Sequence, residues 1–189
     1  MKVGLYFGSF NPVHVGHLII ANTILSESGL DQLWFVVSPQ NPLKAVGTLL
    51  SEYHRKYLID IAIEGERKLR TSNVEFSLPK PSYTIDTVTY LSEKFPGNTF
   101  CIIMGSDSYS NLKKWKNYEL LLKNYRIIIY DRPGFKILEP LPPTVTQVTA
   151  PLLEISSTHI RELLKANKSI KFLVPDVVKE EIERNHYYR

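Results

Sequence analysis

Along this chain, unbroken apolar runs of strand length alternate with segments whose apolar residues recur at helical spacing. The runs are Val3-Gly4-Leu5-Tyr6-Phe7, Leu33-Trp34-Phe35-Val36-Val37, Thr99-Phe100-Cys101-Ile102-Ile103-Met104 and Arg126-Ile127-Ile128-Ile129-Tyr130. Shorter strands are expected over 73–76 and 145–149. Helices are expected over 15–28, closed by Gly29, and from a Ser51 cap (His54 at N3) to about residue 64. Further helices are expected over 83–94, with Gly97 just past the end, and over 157–165 and 176–183. Strands that are apolar throughout belong in a parallel sheet covered on both faces. The expected fold is α/β, a doubly wound, mostly parallel sheet, whose ligands bind beyond the carboxyl ends of the strands. No internal repeat or linker divides the chain. It reads as one domain over 1–189, with 155–189 a C-terminal helical part and the proline-rich piece 139–143 a surface connection.

Composition narrows the choices. Of 189 residues 43% are hydrophobic and 22% charged, as in ordinary globular proteins. The net charge of +4 is spread along the chain, which suits a small anion better than a nucleic acid polymer. The single cysteine, Cys101, excludes an internal disulfide, and its apolar run marks it as a buried structural thiol. No stretch approaches the ~20 apolar residues of a membrane span. The first strand begins directly after Met1, leaving no room for a leader, so a cytoplasmic location is expected.

The chemistry gathers at two places. Gly8-Ser9-Phe10-Asn11-Pro12-Val13-His14-Val15-Gly16-His17 joins the first strand to the first helix. Gly8 lets backbone approach a ligand closely. His14 lies at the helix mouth and His17 one turn in, a cationic or hydrogen-bonding pocket at a helix N-terminus, where a phosphate chain sits well. Metal ligation or helix capping would use the same residues. The second place is Glu154-Ile155-Ser156-Ser157-Thr158-His159-Ile160-Arg161. Ser156 or Ser157 can cap a helix there, the hydroxyls and first amides form an anion site, and Arg161 can fork onto phosphate oxygens. Two anion sites in one α/β domain imply a ligand with several phosphates.

These two segments resemble the paired signatures of the nucleotidyltransferase superfamily of HxGH type. Over essentially its whole length the chain is most similar to the bacterial nicotinate-nucleotide adenylyltransferases. The resemblance implies a Rossmann-like nucleotidyltransferase fold and transfer of the adenylyl group of ATP to nicotinate mononucleotide. The products are deamido-NAD and pyrophosphate, with Mg²⁺ travelling with ATP. It also implies residue roles. His14 and His17 match the histidines that hold the ATP phosphates. Gly8, Ser9 and Phe10 match the loop between ATP and acceptor. Ser156, Ser157, Thr158 and Arg161 match the grip on the β- and γ-phosphates. Lys44, in Gln40-Asn41-Pro42-Leu43-Lys44, matches a lysine that neutralises phosphate charge. Gly105 and Asp107 match a nucleotide-lining segment, and Arg132, in Arg132-Pro133-Gly134, a turn on the ATP side. On the acceptor side, Tyr83-Thr84-Ile85-Asp86-Thr87 matches a segment in which Thr84, Asp86 and Thr87 lie beside the mononucleotide. Trp115 matches a tryptophan on which the nicotinate ring stacks.

The chain departs from the family's usual G-G-T-F-D-P with Phe7-Gly8-Ser9-Phe10-Asn11-Pro12. Serine keeps the hydroxyl and asparagine the turn chemistry. Phe7 replaces a glycine and leaves the acceptor phosphate's position open. In-line attack of the acceptor phosphate on the α-phosphorus needs positioning and charge stabilisation but no base or covalent nucleophile. Rival readings keep the fold with another acceptor, nicotinamide mononucleotide or phosphopantetheine, or make the chain a non-catalytic nucleotide-binding module. A metal site at His14, His17 and His159 lacks a cysteine or acidic partner at ligand spacing. The aromatic tail over 186–189 can dock on the body or on a second chain.

Overall fold

A computed structural model describes residues 1–39, 49–137, 140–151 and 153–189. Six strands form one sheet: β1 (Lys2–Gly8), β2 (Gln32–Val37), β3 (Leu69–Ser72), β4 (Thr99–Gly105), β5 (Arg126–Tyr130) and β6 (Val145–Val148). Their spatial order is β3-β2-β1-β4-β5-β6, and every pairing is parallel. Seven helices lie among the described residues: α1 (Val15–Ser28), α2 (Glu52–Ala62), α3 (Thr84–Lys94), α4 (Ser106–Ser110), α5 (Tyr118–Asn124), α6 (Ser157–Lys165) and α7 (Asp176–Arg184).

The apolar runs form the central strands because both their faces are covered. In β4, Phe100, Ile102 and Met104 face one buried cluster with Val88 and Leu91 of α3 and Leu121 of α5. Cys101 and Ile103 face the other, with Ile24 of α1, Leu58 of α2, Ile160 of α6 and Ile182 of α7. Burial raises the Cys101 thiol, as expected of a structural cysteine. The doubly wound α/β expectation holds. No helix among the described residues is long and apolar enough to cross a membrane.

One strand lies a few residues before the place its pattern predicts. The expected third strand over 73–76 is instead a short 3-10 turn, Val74–Phe76, and the true β3 lies just before it. An edge strand needs no continuous apolar run, and Leu69-Arg70-Thr71-Ser72 has only one strongly apolar residue. Val74, which drew the strand reading, is buried from the turn. The short helices α4 and α5, after β4 and before β5, were not expected. The aromatic tail docks on the body: the Tyr187 hydroxyl lies 2.7 Å from His54 Nδ1 on α2.

The order reverses between β1 and β4, whose chain continuations leave in opposite directions across the sheet. A crevice opens there, beyond Gly8 and Gly105, where doubly wound sheets bind ligands.

Candidate active site

At the crevice, Gly8 ends β1 and the chain turns sharply. Phe10 carries a left-handed backbone (φ +44°), a conformation that costs a non-glycine residue roughly 1 kcal/mol or more. Its ring compensates by burying itself edge-on against Tyr6, Phe35 and His17, with centroids 5.0–5.5 Å apart. That ring also explains Gly8. A Cβ there would meet the Phe10 ring at 2.7 Å, so the glycine makes room for an aromatic packed behind the loop. Phe10 can therefore offer a ligand only its backbone. Asn11 is buried too, and its Oδ1 accepts the Leu50 amide at 3.1 Å. Phe7 joins the hydrophobic cluster on the α3 side of the sheet.

His14 is the N-cap of α1, and its ring stacks on that of His17 with centroids 3.6 Å apart. The backbone N–H of His14 donates to His17 Nδ1 at 3.3 Å, so the His17 proton sits on Nε2 as a potential donor. Gly16 has a steric reason as well: a Cβ there would come within 3.0 Å of His14 Nδ1. Burial, aided by the Arg132 charge, pulls the His14 pKa down from 6.5 to about 4. His14 is thus neutral near pH 7, which removes the cationic alternative for this residue. Its Nδ1 is buried with no hydrogen-bond partner. That atom is turned toward the first turn of α1, beside Gly16. The mouth of α1 is less open than expected, because the Val15 amide already donates to the Leu173 carbonyl at 3.0 Å.

The segment at the start of α6 folds directly onto this loop. Ser156 caps α6, accepting the His159 amide at 3.2 Å. Ser157 Oγ donates to the Pro12 carbonyl at 2.9 Å, and Arg161 to the Asn11 carbonyl at 2.8 Å and to Thr158 Oγ1 at 3.3 Å. Residues about 150 positions apart in sequence are thereby in hydrogen-bond contact. Across the crevice, Arg132 and Asp107 lean over Gly105, with Nε and Oδ1 3.9 Å apart. A Cβ on Gly105 would strike both side chains. The Arg132 amide donates to the buried Ser106 hydroxyl at 2.9 Å, fixing the end of β5 to that of β4. His14, His17, Arg132 and Ile155 line one pocket.

The other expected residues are arranged differently. Thr87 is fully buried, and its hydroxyl donates to Glu75 at 2.9 Å, so it lies behind the crevice wall. Tyr83 is the N-cap of α3, so Thr84 opens its first turn. Asp86 pairs with Lys116 at 2.8 Å, and the Lys116 ammonium lies 4.9 Å from the Tyr83 ring centre. This pair ties the Trp115 segment to the start of α3. Trp115 itself is half-buried against the cluster on that face. Lys44 falls in 40–48, outside the described residues. A three-histidine metal site is not assembled: among the described residues no three His, Cys, Asp or Glu side chains form a metal-holding group.

Sequence reasoning missed two buried charges beside the site, Arg55 and Glu75. Arg55 left a signal. It falls on the same α2 face as buried Leu58 and Ile59, where an apolar residue is expected. Glu75 left none beyond its place in a mainly apolar triplet.

Comparison with known proteins follows the same lines. The cytidylyltransferase-like family model matches residues 5–163. A probable nicotinate-nucleotide adenylyltransferase of Cytophaga hutchinsonii is 49% identical, the alignment covering all of this chain and 98% of that protein. One from Flavobacterium psychrophilum is 46% identical over the whole of both chains. Among solved structures, Plasmodium falciparum nicotinic acid mononucleotide adenylyltransferase complexed with NaAD superposes with a TM-score of 0.85. It is 24% identical, and the match covers 99% of this chain and 97% of that one.

Proposed function

Since the chain belongs to the nicotinate-nucleotide adenylyltransferases of the cytidylyltransferase-like family, we infer that it transfers the adenylyl group of ATP to nicotinate mononucleotide, releasing deamido-NAD and pyrophosphate in NAD biosynthesis. One observation carries the reading at the level of mechanism: the hydroxyl-arginine segment of α6 is docked on the loop after β1 through Ser157 and Arg161. A single triphosphate can then touch both.

The acceptor phosphate is already an anion near pH 7, so its oxygen attacks the α-phosphorus without a base. The bond formed joins that oxygen to phosphorus; the bond broken is the α–β bridge, and pyrophosphate leaves with the electron pair. His17 donates from Nε2 to the α-phosphate region. Neutral His14, stacked on the His17 ring and donating its own backbone N–H to Nδ1 of that ring, holds the His17 donor in place. The amides of Ser157 and Thr158, with the Arg161 guanidinium, hold the β- and γ-phosphates. Arg132 and Asp107 border the nucleotide, with the backbone of Gly8, Ser9 and Phe10 between ATP and acceptor. Lys44 is assigned to phosphate charge by sequence alone. Magnesium enters with ATP as part of the substrate. Thr84 and Asp86 lie on the acceptor side with Trp115, whose ring offers a face to the nicotinate.

The test is product identification with MgATP and nicotinate mononucleotide, run beside nicotinamide mononucleotide and phosphopantetheine. Deamido-NAD and pyrophosphate in equal amounts, formed far faster than either other product, are expected. Absence of pyrophosphate release with every acceptor would sink the reading.

A further inference from the structure

Arg55 and Glu75 are fully or almost fully buried, and the reaction just described uses neither. A buried charge survives only where its hydrogen bonds are supplied. The bonds these two make are unusual in where they end. Arg55 Nε donates to the Leu50 carbonyl at 2.8 Å; its two terminal nitrogens donate to the carbonyls of Ser9, of Ser38 at 2.9 Å and of Pro39 at 3.2 Å. Four carbonyls from three chain segments converge on one guanidinium, and no carboxylate is among them. Glu75 accepts from Ser82 Oγ at 2.8 Å and Thr87 Oγ1 at 2.9 Å, and the Ser38 side chain lies against it. Ser38 is common to both sets, and its own amide donates to the Gly8 carbonyl at 3.0 Å.

We propose that Arg55 and Glu75 are positioning residues for the acceptor nucleotide, acting through Ser38. Arg55 holds the loop after β1 at Ser9 and the end of β2 at Ser38 and Pro39. Glu75 holds the start of α3 at Ser82 and Thr87. Ser38, bonded to Arg55 through its carbonyl and set against Glu75 by its side chain, joins the two, so the spacing between Ser9 and the Thr84–Asp86 turn is set by one continuous chain of contacts. Neither charge touches a ligand. Each is shielded from water, so its bonds are strong and its loss leaves orphaned carbonyls or hydroxyls. The ATP grip is held separately, by Ser157 and Arg161 on Pro12 and Asn11. Loosening the Ser38 junction therefore affects the acceptor more than ATP. This inference rests on the adenylyl-transfer reading.

The test uses the full chain with three changes: Arg55→Lys, which keeps the charge but cannot reach four carbonyls; Ser38→Ala, which removes one hydroxyl; and Glu75→Gln, which retains one oxygen acceptor. Steady-state kinetics are run against both substrates at a temperature where melting curves show each variant folded. The expected result is an acceptor KM raised about tenfold or more in Arg55→Lys and several-fold in Ser38→Ala, with ATP KM within twofold. Glu75→Gln and Ser38→Ala combined should cost less than the product of their separate effects, because they break one chain. If Arg55→Lys does not fold, Ser38→Ala and its cycle with Glu75→Gln decide the matter. Unchanged acceptor KM in folded variants, or equal losses for both substrates, overturns this inference while leaving the functional reading intact. A wild-type protein that makes no product overturns both.

Discussion

His14 offers the sharpest quantitative test of the site. Its pKa is pulled from 6.5 to about 4, first by burial and then by the Arg132 charge. A histidine that resists protonation when folded contributes its stability in full above the unfolded pKa. That stability drains away as pH falls from 6.5 toward 4, where the unfolded chain takes up the proton and the folded one does not. The gap corresponds to about 3 kcal/mol at roughly 1.4 kcal/mol per tenfold change in proton affinity, and about 2 kcal/mol of it falls between pH 7 and pH 4.5. The perturbation is acidification of the free protein beside His14→Gln, which cannot titrate. Urea unfolding followed by fluorescence of Trp34 and Trp115 gives both stabilities at both pH values. With a urea slope of about 2 kcal/mol per molar, the wild-type midpoint should fall by about 1 M more than the variant's over that interval. Other groups titrate in both proteins and cancel in the difference. Equal losses in the two proteins, or an NMR titration placing His14 near 6.5 in the folded state, would refute a neutral, buried imidazole at the mouth of α1.

Three further changes probe the rest of the crevice. His17→Ala removes the Nε2 donor and should lower kcat by about two to three powers of ten with ATP saturating; turnover near wild type would show that His17 is not the donor. Gly16→Ala gains helix propensity but sets a Cβ 3.0 Å from His14 Nδ1. Its melting temperature should hardly move while kcat falls about tenfold or more, and an unchanged kcat would mean the ring is free to shift without consequence. Arg161→Ala gives up its bond to the Asn11 carbonyl as well as its proposed hold on phosphate. Calorimetry should show ATP binding weakened by roughly tenfold to a hundredfold, as for a charged hydrogen bond worth about 1.5–3 kcal/mol, and an unaltered Kd would remove Arg161 from the ATP site.

What could be read in advance followed from periodicity. β1, β2, β4 and β5 are buried on both faces, so their apolar runs are unbroken, and the doubly wound arrangement follows from them. β3 escaped because an edge strand is not required to be apolar, while Val74 beside it mimicked one. The short helices α4 and α5 escaped because 5 and 7 residues carry too little periodicity to register. At the site, His14, His17 and Arg161 stood out by type and spacing. The reasons for the glycines did not. Gly8 answers to the ring of Phe10 and Gly16 to that of His14, contacts that exist only once the loop is folded. Thr87 shows the converse limit. A threonine at a helix start looks the same in sequence whether it faces a ligand or, as here, a buried carboxylate.

In the proposed reading the loop after β1 presents positive potential to a polyphosphate, yet each of its peptides carries a negative carbonyl oxygen. The fold resolves this by occupying the oxygens. The Gly8 carbonyl accepts from the Ser38 amide, Ser9 from Arg55, Asn11 from Arg161, Pro12 from Ser157 and His14 from the amides at the start of α1. The donors come from α1, α2, α6 and the end of β2, so elements distant in sequence meet at one short segment. Each bond removes an acceptor that would repel phosphate, and two of the donors bring a full positive charge behind the backbone. In that reading Arg161 serves twice, binding the loop and adding charge for the phosphates. Such an arrangement would let an anion site be built on a loop with no lysine or arginine of its own, its charge coming from helices that follow it by dozens of residues.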